Sequence, residues 1–266
     1  MRARSLLLAI GAFAAASGLH AQFGGFDFGK LNKVVDVVKD NYDDAAKVAK
    51  AFAGIGPDEE RTIGGSVAVE IVSTYGGLVR DEAMMRRVNL IGRTVADYSD
   101  RPDLDWRFGV LNSDTVNAFS APGGYVFITR GLYALAADDD QLAGILGHEI
   151  AHITKRHALK VVARGDFLAG VSGIAARQNS NLANVEAQLQ QFDLGIGKIV
   201  DGLLKVGFDP KDEYEADHVG RDLAVTAGYS HDSLRLVLQR LQQNNPGRLK
   251  QVFSTHPPLA ERIKRL

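Results

Sequence analysis

Apolar positions recur along this chain with a helical period before and after a short stretch of strand-like alternation. Helical spacing runs through Leu31–Phe52, and a second helix is predicted to begin at Pro57 and to end near Gly76–Gly77. A third helix is predicted over about 81–98, with one apolar face formed by Met84, Val88, Ile91 and Val95. These segments predict a mainly helical first half of the chain.

The period then changes to two. Residues 106–110 alternate apolar and polar positions, and VNAFSAPGGYVFITRG predicts a hairpin of two short strands around Ala121–Gly124. The following run, ADDDQLAGILGHEIAHITKRHALKVVARG, predicts a helix that is capped by Asp138 to Asp140 and ended by Gly165. The pattern therefore predicts a small β-structure directly before an apolar helix.

Helical signals continue to the C-terminus. Two helices are predicted within 166–208, a further helix from Pro210 to about Gly228, and a last helical stretch from Ser233 to Gln243. The predicted fold class is α+β, predominantly α-helical. The predicted organisation is a signal peptide at 1–21, a helical lead-in at 22–56 and one domain at 57–266.

The N-terminal sequence indicates the cellular location of the protein. MRARSLLLAIGAFAAASGLHAQ has basic, apolar and small-residue parts in the order of a secretory signal, and its apolar run is short for a membrane span. We expect an exported protein. The periplasm is the favoured location, and the extracellular medium is the alternative. No integral membrane span is expected in the mature chain, which leaves peripheral membrane association open.

The net charge of −1 gives no indication of a nucleic-acid partner. The chain has no cysteine, so it forms no disulfide and any metal site must use His, Asp or Glu.

The sequence HEIAH lies within the apolar helix predicted to begin near Asp138. His148 and His152 are four residues apart, so both rings project from one helix face and can reach one zinc ion. Glu149 is then placed to act as the general base on a water molecule. The alternative is a core helix with three polar residues, whose desolvation would be costly.

A catalytic zinc site requires a third protein ligand and an open position. His157 is rejected, because five residues at about 100° each place it far round a continuing helix. Glu213 in DEYEAD is the better candidate, and Asp217, one turn later, is expected to accept the free ring N–H of His148. Glu215 is expected to be a solvated charge.

Four segments together resemble one known family: HEIAH, the downstream EYEAD, NAFSAPGGYVFITRG and STHPPLAER. The chain is similar to zinc metallopeptidases of the HtpX and CAAX-prenyl-endopeptidase type, in particular their exported bacterial members. The resemblance runs from about Pro57 to the C-terminus. It implies a zincin-like (gluzincin) fold with a small β-sheet or hairpin beside the HExxH helix.

The resemblance also implies one Zn²⁺ per chain, held by His148, His152 and Glu213, with Glu149 as catalytic base. Polypeptide substrates follow, including misfolded envelope proteins, and hence a role in protein quality control. A departure is His218, which stands where exported relatives often have an arginine after the EAD aspartate. Charge neutralisation near the site is therefore in question.

Several roles stay open from the sequence. A peptide could add as an extra strand either on Asn117, Ala118, Phe119 and Ser120 or on the partner strand 125–129. His256, before two prolines, could stabilise the oxyanion or block the open zinc position. Arg262 is expected to be a packing or surface residue.

Two alternatives to a protease stay open as well. A chaperone-like or latent peptide-binding protein would have a structural or histidine-blocked zinc site. An interaction protein without zinc would require Glu213 to lie far from the two histidines.

Overall fold

The structure, a computed structural model, describes residues 56–158, 207–244 and 256–266, with short pieces at 196–197, 200–201 and 203–204. The predicted signal peptide, nearly all of the predicted lead-in and most of 166–208 lie outside the described residues. The described helices are α1 (Pro57–Thr74), α2 (Glu82–Ala96), α3 (Arg130–Tyr133), α4 (Asp139–Thr154), α5 (Pro210–Thr226), α6 (Ser233–Asn244) and α7 (Leu259–Arg265). None of them is long and apolar enough to cross a membrane.

The helix starts follow the capping residues of the sequence. Pro57 opens α1, whereas the Asp81 side chain caps α2 by accepting from the Met84 N–H at 2.9 Å. Asp138 caps α4 in the same way, accepting from the Gln141 N–H at 2.8 Å. Gly76 has a φ of 79°, which the chain requires to turn away after α1. These local signals explain why the predicted helix starts agree with the structure.

A three-stranded sheet lies beside α4. Its strands are β1 (Arg107–Leu111), β2 (Ala118–Ala121) and β3 (Tyr125–Thr129), in the order β1-β3-β2. β3 is central, parallel to β1 and antiparallel to β2, so within the described residues β2 has a neighbouring strand on one side only. The predicted hairpin is present, and the predicted first strand is displaced by one residue. The fold class is α+β and mostly helical, as predicted.

The core fills the space between this sheet and helices α2, α4 and α6. The helix α4 is its centre, since every residue from Gln141 to Ile153 is buried. Burial of its apolar side chains against both layers provides the main stabilising term. Buried core members from the other elements are Val88, Ile91, Val95, Trp106, Phe108, Val110, Val126, Ile128, Leu234, Val237, Leu238 and Leu241.

The predicted end of α4 at Gly165 is wrong. The helix ends at Thr154, where the N–H of the following Lys155 bonds to the Ala151 carbonyl. Arg156 then adopts a φ of 57°, a left-handed conformation that a helix cannot continue through. His157 follows this break, and its Nδ1 lies 2.8 Å from Nδ1 of His152 on α4. The short helices α3 and α7 are elements that the apolar pattern did not predict.

Candidate metal centre

The two histidines of α4 and the glutamate of α5 meet at one point. Nε2 of His148 and Nε2 of His152 are 3.1 Å apart. Glu213 approaches them from α5, with Oε1 3.5 Å from His152 Nε2 and Oε2 3.7 Å from His148 Nε2. All three side chains are buried and form a group that could hold a metal ion. The structure therefore brings together the three residues predicted as ligands.

The chemistry of this group fits a zinc ion. Two imidazole nitrogens at zinc-ligand distance in a tetrahedral arrangement lie about 3.3 Å apart, close to the observed separation. Within the described part of the chain, Glu213 Oε1 is buried without a hydrogen-bond partner. Such an atom is costly to bury unless it binds something. A cation between these atoms would satisfy it.

Charges around Glu213 keep the carboxylate ionised. Burial alone would raise the pKa of Glu213, and the neighbouring His256 opposes this rise by its charge and its hydrogen bond. His148 and Arg262 act in the same direction, and the pKa of Glu213 is lowered overall. An ionised carboxylate is the form that ligates zinc.

A buried ion pair contacts the Nδ1 side of the His148 ring. Its Nδ1 lies 3.0 Å from Asp217 Oδ1, the contact predicted from the spacing in DEYEAD. Arg262 contacts the same carboxylate twice, with Nε 2.9 Å from Oδ2 and Nη2 2.6 Å from Oδ1. Burial alone would raise the pKa of Asp217, but the charge and hydrogen bond of Arg262 together with those of His148 outweigh it and lower this pKa well below the usual range.

The expectation that Arg262 is a packing or surface residue is wrong. This side chain is 2 % exposed and lies next to His148 and Asp217. Arg262 supplies a positive charge beside Asp217. The charge neutralisation that His218 put in question is therefore provided by a residue of the C-terminal tail. The segment STHPPLAER marked this tail as part of the family resemblance, but nothing in the local pattern indicated that Arg262 contacts Asp217 of α5.

His152 is supported by a different residue. Its Nδ1 is 2.8 Å from Nδ1 of His157, and the ring of Phe208 stacks on it with centroids 4.0 Å apart. His157 in turn lies 3.1 Å from Glu215, whose side chain is 45 % exposed, so this predicted solvated charge also contacts a buried ring. The argument that excluded His157 assumed a continuing helix, whereas α4 ends before this residue. His157 is nevertheless not among the three converging groups.

Glu149 is buried beside the histidines and faces the same pocket as His148, Asn117 and Ala118. Burial raises the pKa of Glu149, while the charges of His148 and His256 partly oppose this rise. A carboxyl group with a raised pKa is a stronger base when ionised. The position and the raised pKa both suit a group that takes up and releases a proton.

His256 lies at the other side of the cluster. Its Nδ1 is 2.6 Å from Glu213 Oε2, and its ring centroid is 6.3 Å from that of His148. The imidazole is thus within reach of both the ligand group and the pocket that Glu149 lines. Both roles considered for it, oxyanion stabilisation and blocking of the open position, stay predictions.

Sequence comparison adds an independent observation. The sequence profile of peptidase family M48 matches residues 82–266. The chain belongs to peptidase family M48. The resemblance to HtpX-type zinc metallopeptidases is thereby confirmed, and the chain is classed as a metallopeptidase. The matched region includes α2, the sheet and every residue of the candidate metal centre, but not α1.

Individual relatives agree with this classification. The chain is 28% identical over 221 residues to mitochondrial metalloendopeptidase OMA1 of Schizosaccharomyces pombe, covering 82% of this chain and 63% of the relative. It is 24% identical over 184 residues to the beta-barrel assembly-enhancing protease of Escherichia coli, covering 68% of this chain and 37% of that protein. Metalloprotease YcaL of Escherichia coli is 29% identical over 160 residues, 60% of each chain. The chain therefore matches less than two thirds of the length of each of these relatives.

Proposed function

We propose that this M48 metallopeptidase is a zinc-dependent endopeptidase that hydrolyses exported, envelope-located polypeptides. The observation that carries the proposal is the convergence of His148 Nε2, His152 Nε2 and Glu213 Oε1 in one buried group, where Oε1 has no hydrogen-bond partner among the described residues. These three residues would hold the ion. A bound zinc ion would act as a Lewis acid that activates water and polarises the scissile carbonyl.

The remaining steps belong to the side chains of this protein. The Glu149 carboxylate accepts a proton from the attacking water and passes it to the leaving amine nitrogen. Asp217 accepts the His148 Nδ1–H, which leaves the Nε2 lone pair of that ring directed at the ligand group. His256, at the edge of the pocket, is placed to donate to the developing oxyanion.

The substrate would add to the free edge of the sheet. Among the described strands, β2 pairs with β3 on one side only, whereas β3 is paired on both sides, which favours β2 as the strand that receives the peptide. Asn117 and Ala118 line the same pocket as Glu149. A peptide that pairs with the segment from Asn117 through Ala118 and Phe119 to Ser120 would therefore pass beside the catalytic carboxylate.

Ala118→Pro tests this strand, because proline removes one backbone N–H from the edge. We expect the variant to raise KM several-fold, and an unchanged KM would exclude this strand as the substrate-binding edge.

The cellular setting is part of the proposal. The predicted signal peptide and the similarity to the beta-barrel assembly-enhancing protease both support an exported enzyme in the cell envelope. The similarity to a mitochondrial enzyme shows that the family also occurs elsewhere. Quality control of misfolded envelope proteins is the role that we infer. Fractionation that finds the mature chain only in the cytoplasm would contradict it.

A latent peptide-binding state is the second candidate. The observation that favours it is the 2.6 Å contact of His256 Nδ1 with Glu213 Oε2, which places a third imidazole beside the two histidines and the glutamate of the ligand group. If His256 blocks the open position, His256→Ala should increase cleavage. If His256 stabilises the oxyanion instead, the same change should decrease kcat by about 10²-fold. The direction of the change decides between the two roles.

The direct test of the proposed function compares the mature protein with Glu149→Gln. Zinc content and cleavage of casein are measured side by side. We expect one zinc per chain in both proteins and a loss of cleavage of at least about 10²–10⁴-fold in the variant, because Gln cannot accept the proton. A variant that keeps zinc and cleaves at the wild-type rate would contradict the mechanism. Absence of zinc from both proteins would contradict the metal site.

A further inference from the structure

His157 is completely buried, and both of its ring nitrogens face polar groups. Nδ1 is 2.8 Å from His152 Nδ1, while Nε2 is 3.1 Å from Glu215 Oε2 and 3.8 Å from Asp212 Oδ1. The left-handed residue Arg156 lies between α4 and His157 and interrupts the helix before that ring. His152 and His157 thus form a connected pair of rings between two groups of potential metal ligands.

The contact between the two Nδ1 atoms has a strict chemical consequence. In a hydrogen bond between neutral imidazoles, one nitrogen carries the proton and the other accepts it. If His152 ligates through Nε2, its proton is on Nδ1, and His157 Nδ1 must accept. The proton of His157 is then on Nε2, where Glu215 and Asp212 face it. Each ring in the pair fixes the tautomer of the other.

A second group of potential metal ligands, formed by His157, Asp212 and Glu215, also lies close enough together to hold a cation. The argument about tautomers applies there in the opposite direction. Ligation through His157 Nε2 would place the His157 proton on Nδ1, so His152 Nδ1 would accept and His152 Nε2 would carry a proton. His152 could not then bind zinc through Nε2. Only one of the two groups can use its histidine as a neutral ligand at a time.

We propose that His157 is a positioning residue that keeps His152 in the tautomer whose Nε2 ligates zinc. Glu215 and Asp212 hold the other proton of the pair on His157 Nε2, so this second group supports the zinc site and binds no histidine-ligated cation of its own. A ring nitrogen serves here as the acceptor that a carboxylate or carbonyl provides for most ligating histidines. The proposal rests on the zinc site of the proposed function.

Zinc affinity measured by competition with a chelating dye tests the positioning role in the full chain. His157→Phe keeps a ring but cannot accept the hydrogen bond from the His152 Nδ1–H. We expect the zinc affinity of this variant to fall about 10–100-fold. His157→Asn places an amide oxygen near the former Nδ1, so affinity should return to within a few-fold of wild type. His231→Phe, at an exposed histidine of the described region that lies away from the site, is the matched control.

The tautomers can be read in the zinc-loaded wild-type protein, which avoids any question of variant folding. Long-range ¹H–¹⁵N spectra should show His152 protonated on Nδ1 and His157 protonated on Nε2. A His157 proton on Nδ1, or His157→Phe with wild-type affinity, would overturn the proposal. So would two zinc ions per wild-type chain, one of them lost in Glu215→Gln. Failure of the wild-type chain to bind zinc would instead contradict the proposed function.

Discussion

At the scale of single residues, the site depends on buried charges that neutralise one another. Asp217 is paired with Arg262 on one side and with His148 on the other, and all three are nearly inaccessible to solvent. Each would be costly to bury alone, since a charge removed from water needs a partner of opposite sign. The orientation of His148 therefore depends on a residue from the last helix of the chain.

Arg262→Met removes one member of this buried pair. We expect a loss of about 3–5 kcal/mol in unfolding free energy at neutral pH, because Asp217 is left as a buried charge without its main partner. Arg262 lowers the pKa of Asp217, so the stabilisation by the pair is present above the ordinary aspartate pKa and is lost as the pH falls. The difference between the two proteins should therefore narrow in acid.

Urea denaturation at several pH values measures this effect. Arg61→Met is the matched control, since the Arg61–Asp58 pair is exposed and its loss should cost no more than about 1 kcal/mol. Equal stability of Arg262→Met and wild type at neutral pH would contradict the buried-pair account.

At the scale of elements, the distance between α4 and α5 sets the geometry of the ligands. The two helices touch through glycines: a Cβ on Gly147 would lie 2.5 Å from the Gly220 carbonyl oxygen, and a Cβ on Gly220 would lie 2.5 Å from the His148 nitrogen. No side chain fits between these backbones. The close approach brings Glu213 of α5 within reach of the histidines of α4.

Gly147→Ala should force these helices apart. We expect a destabilisation of about 1–3 kcal/mol from overpacking and a weaker affinity for zinc, because Glu213 would move away from His148 and His152. Gly197→Ala, where an added Cβ meets no atom of the described residues within 4 Å, is the control. Thermal unfolding and dye competition together measure the two effects. If Gly147→Ala had the thermal stability and the zinc affinity of the wild type, the contact between the two glycines would not set the ligand geometry.

Much of this centre could be predicted because its signals are local. The spacing of His148 and His152 on one helix, and of Glu213 and Asp217 on another, follows from helical periodicity alone. Arg262 was missed because its contact joins positions that are distant in sequence and depends on where α7 docks. The position of His157 could not be predicted because it depends on a left-handed residue, Arg156, that carries no glycine signal.

At the scale of the whole molecule, a second buried ion pair joins α1 to the family-matched region. Glu60 of α1 is 1 % exposed and binds Arg101 through both carboxylate oxygens, at 2.8 and 2.7 Å. Glu60 Oε1 also accepts from the Gly123 N–H in the β2–β3 turn, and Arg101 donates to the Ile153 carbonyl near the end of α4. Helix α1 is therefore an integral part of the domain.

Glu60→Ala should destabilise the whole domain. We expect a loss of up to about 3 kcal/mol, below the value for a fully buried pair because Arg101 keeps some contact with solvent. Zinc affinity of the folded protein should not change, since Glu60 does not contact the ligands. Asp58→Ala, on the same helix but exposed, is the control for chemical denaturation. Independent unfolding of α1 without loss of domain stability would contradict this account.

The central claim is that one zinc ion is bound by His148, His152 and Glu213. Anomalous diffraction from crystals of the zinc-loaded protein, recorded on both sides of the zinc absorption edge, tests it most directly. The account predicts a single anomalous peak within coordination distance of His148 Nε2, His152 Nε2 and Glu213. A peak at the His157, Asp212 and Glu215 group instead, or no zinc peak at either group, would contradict it.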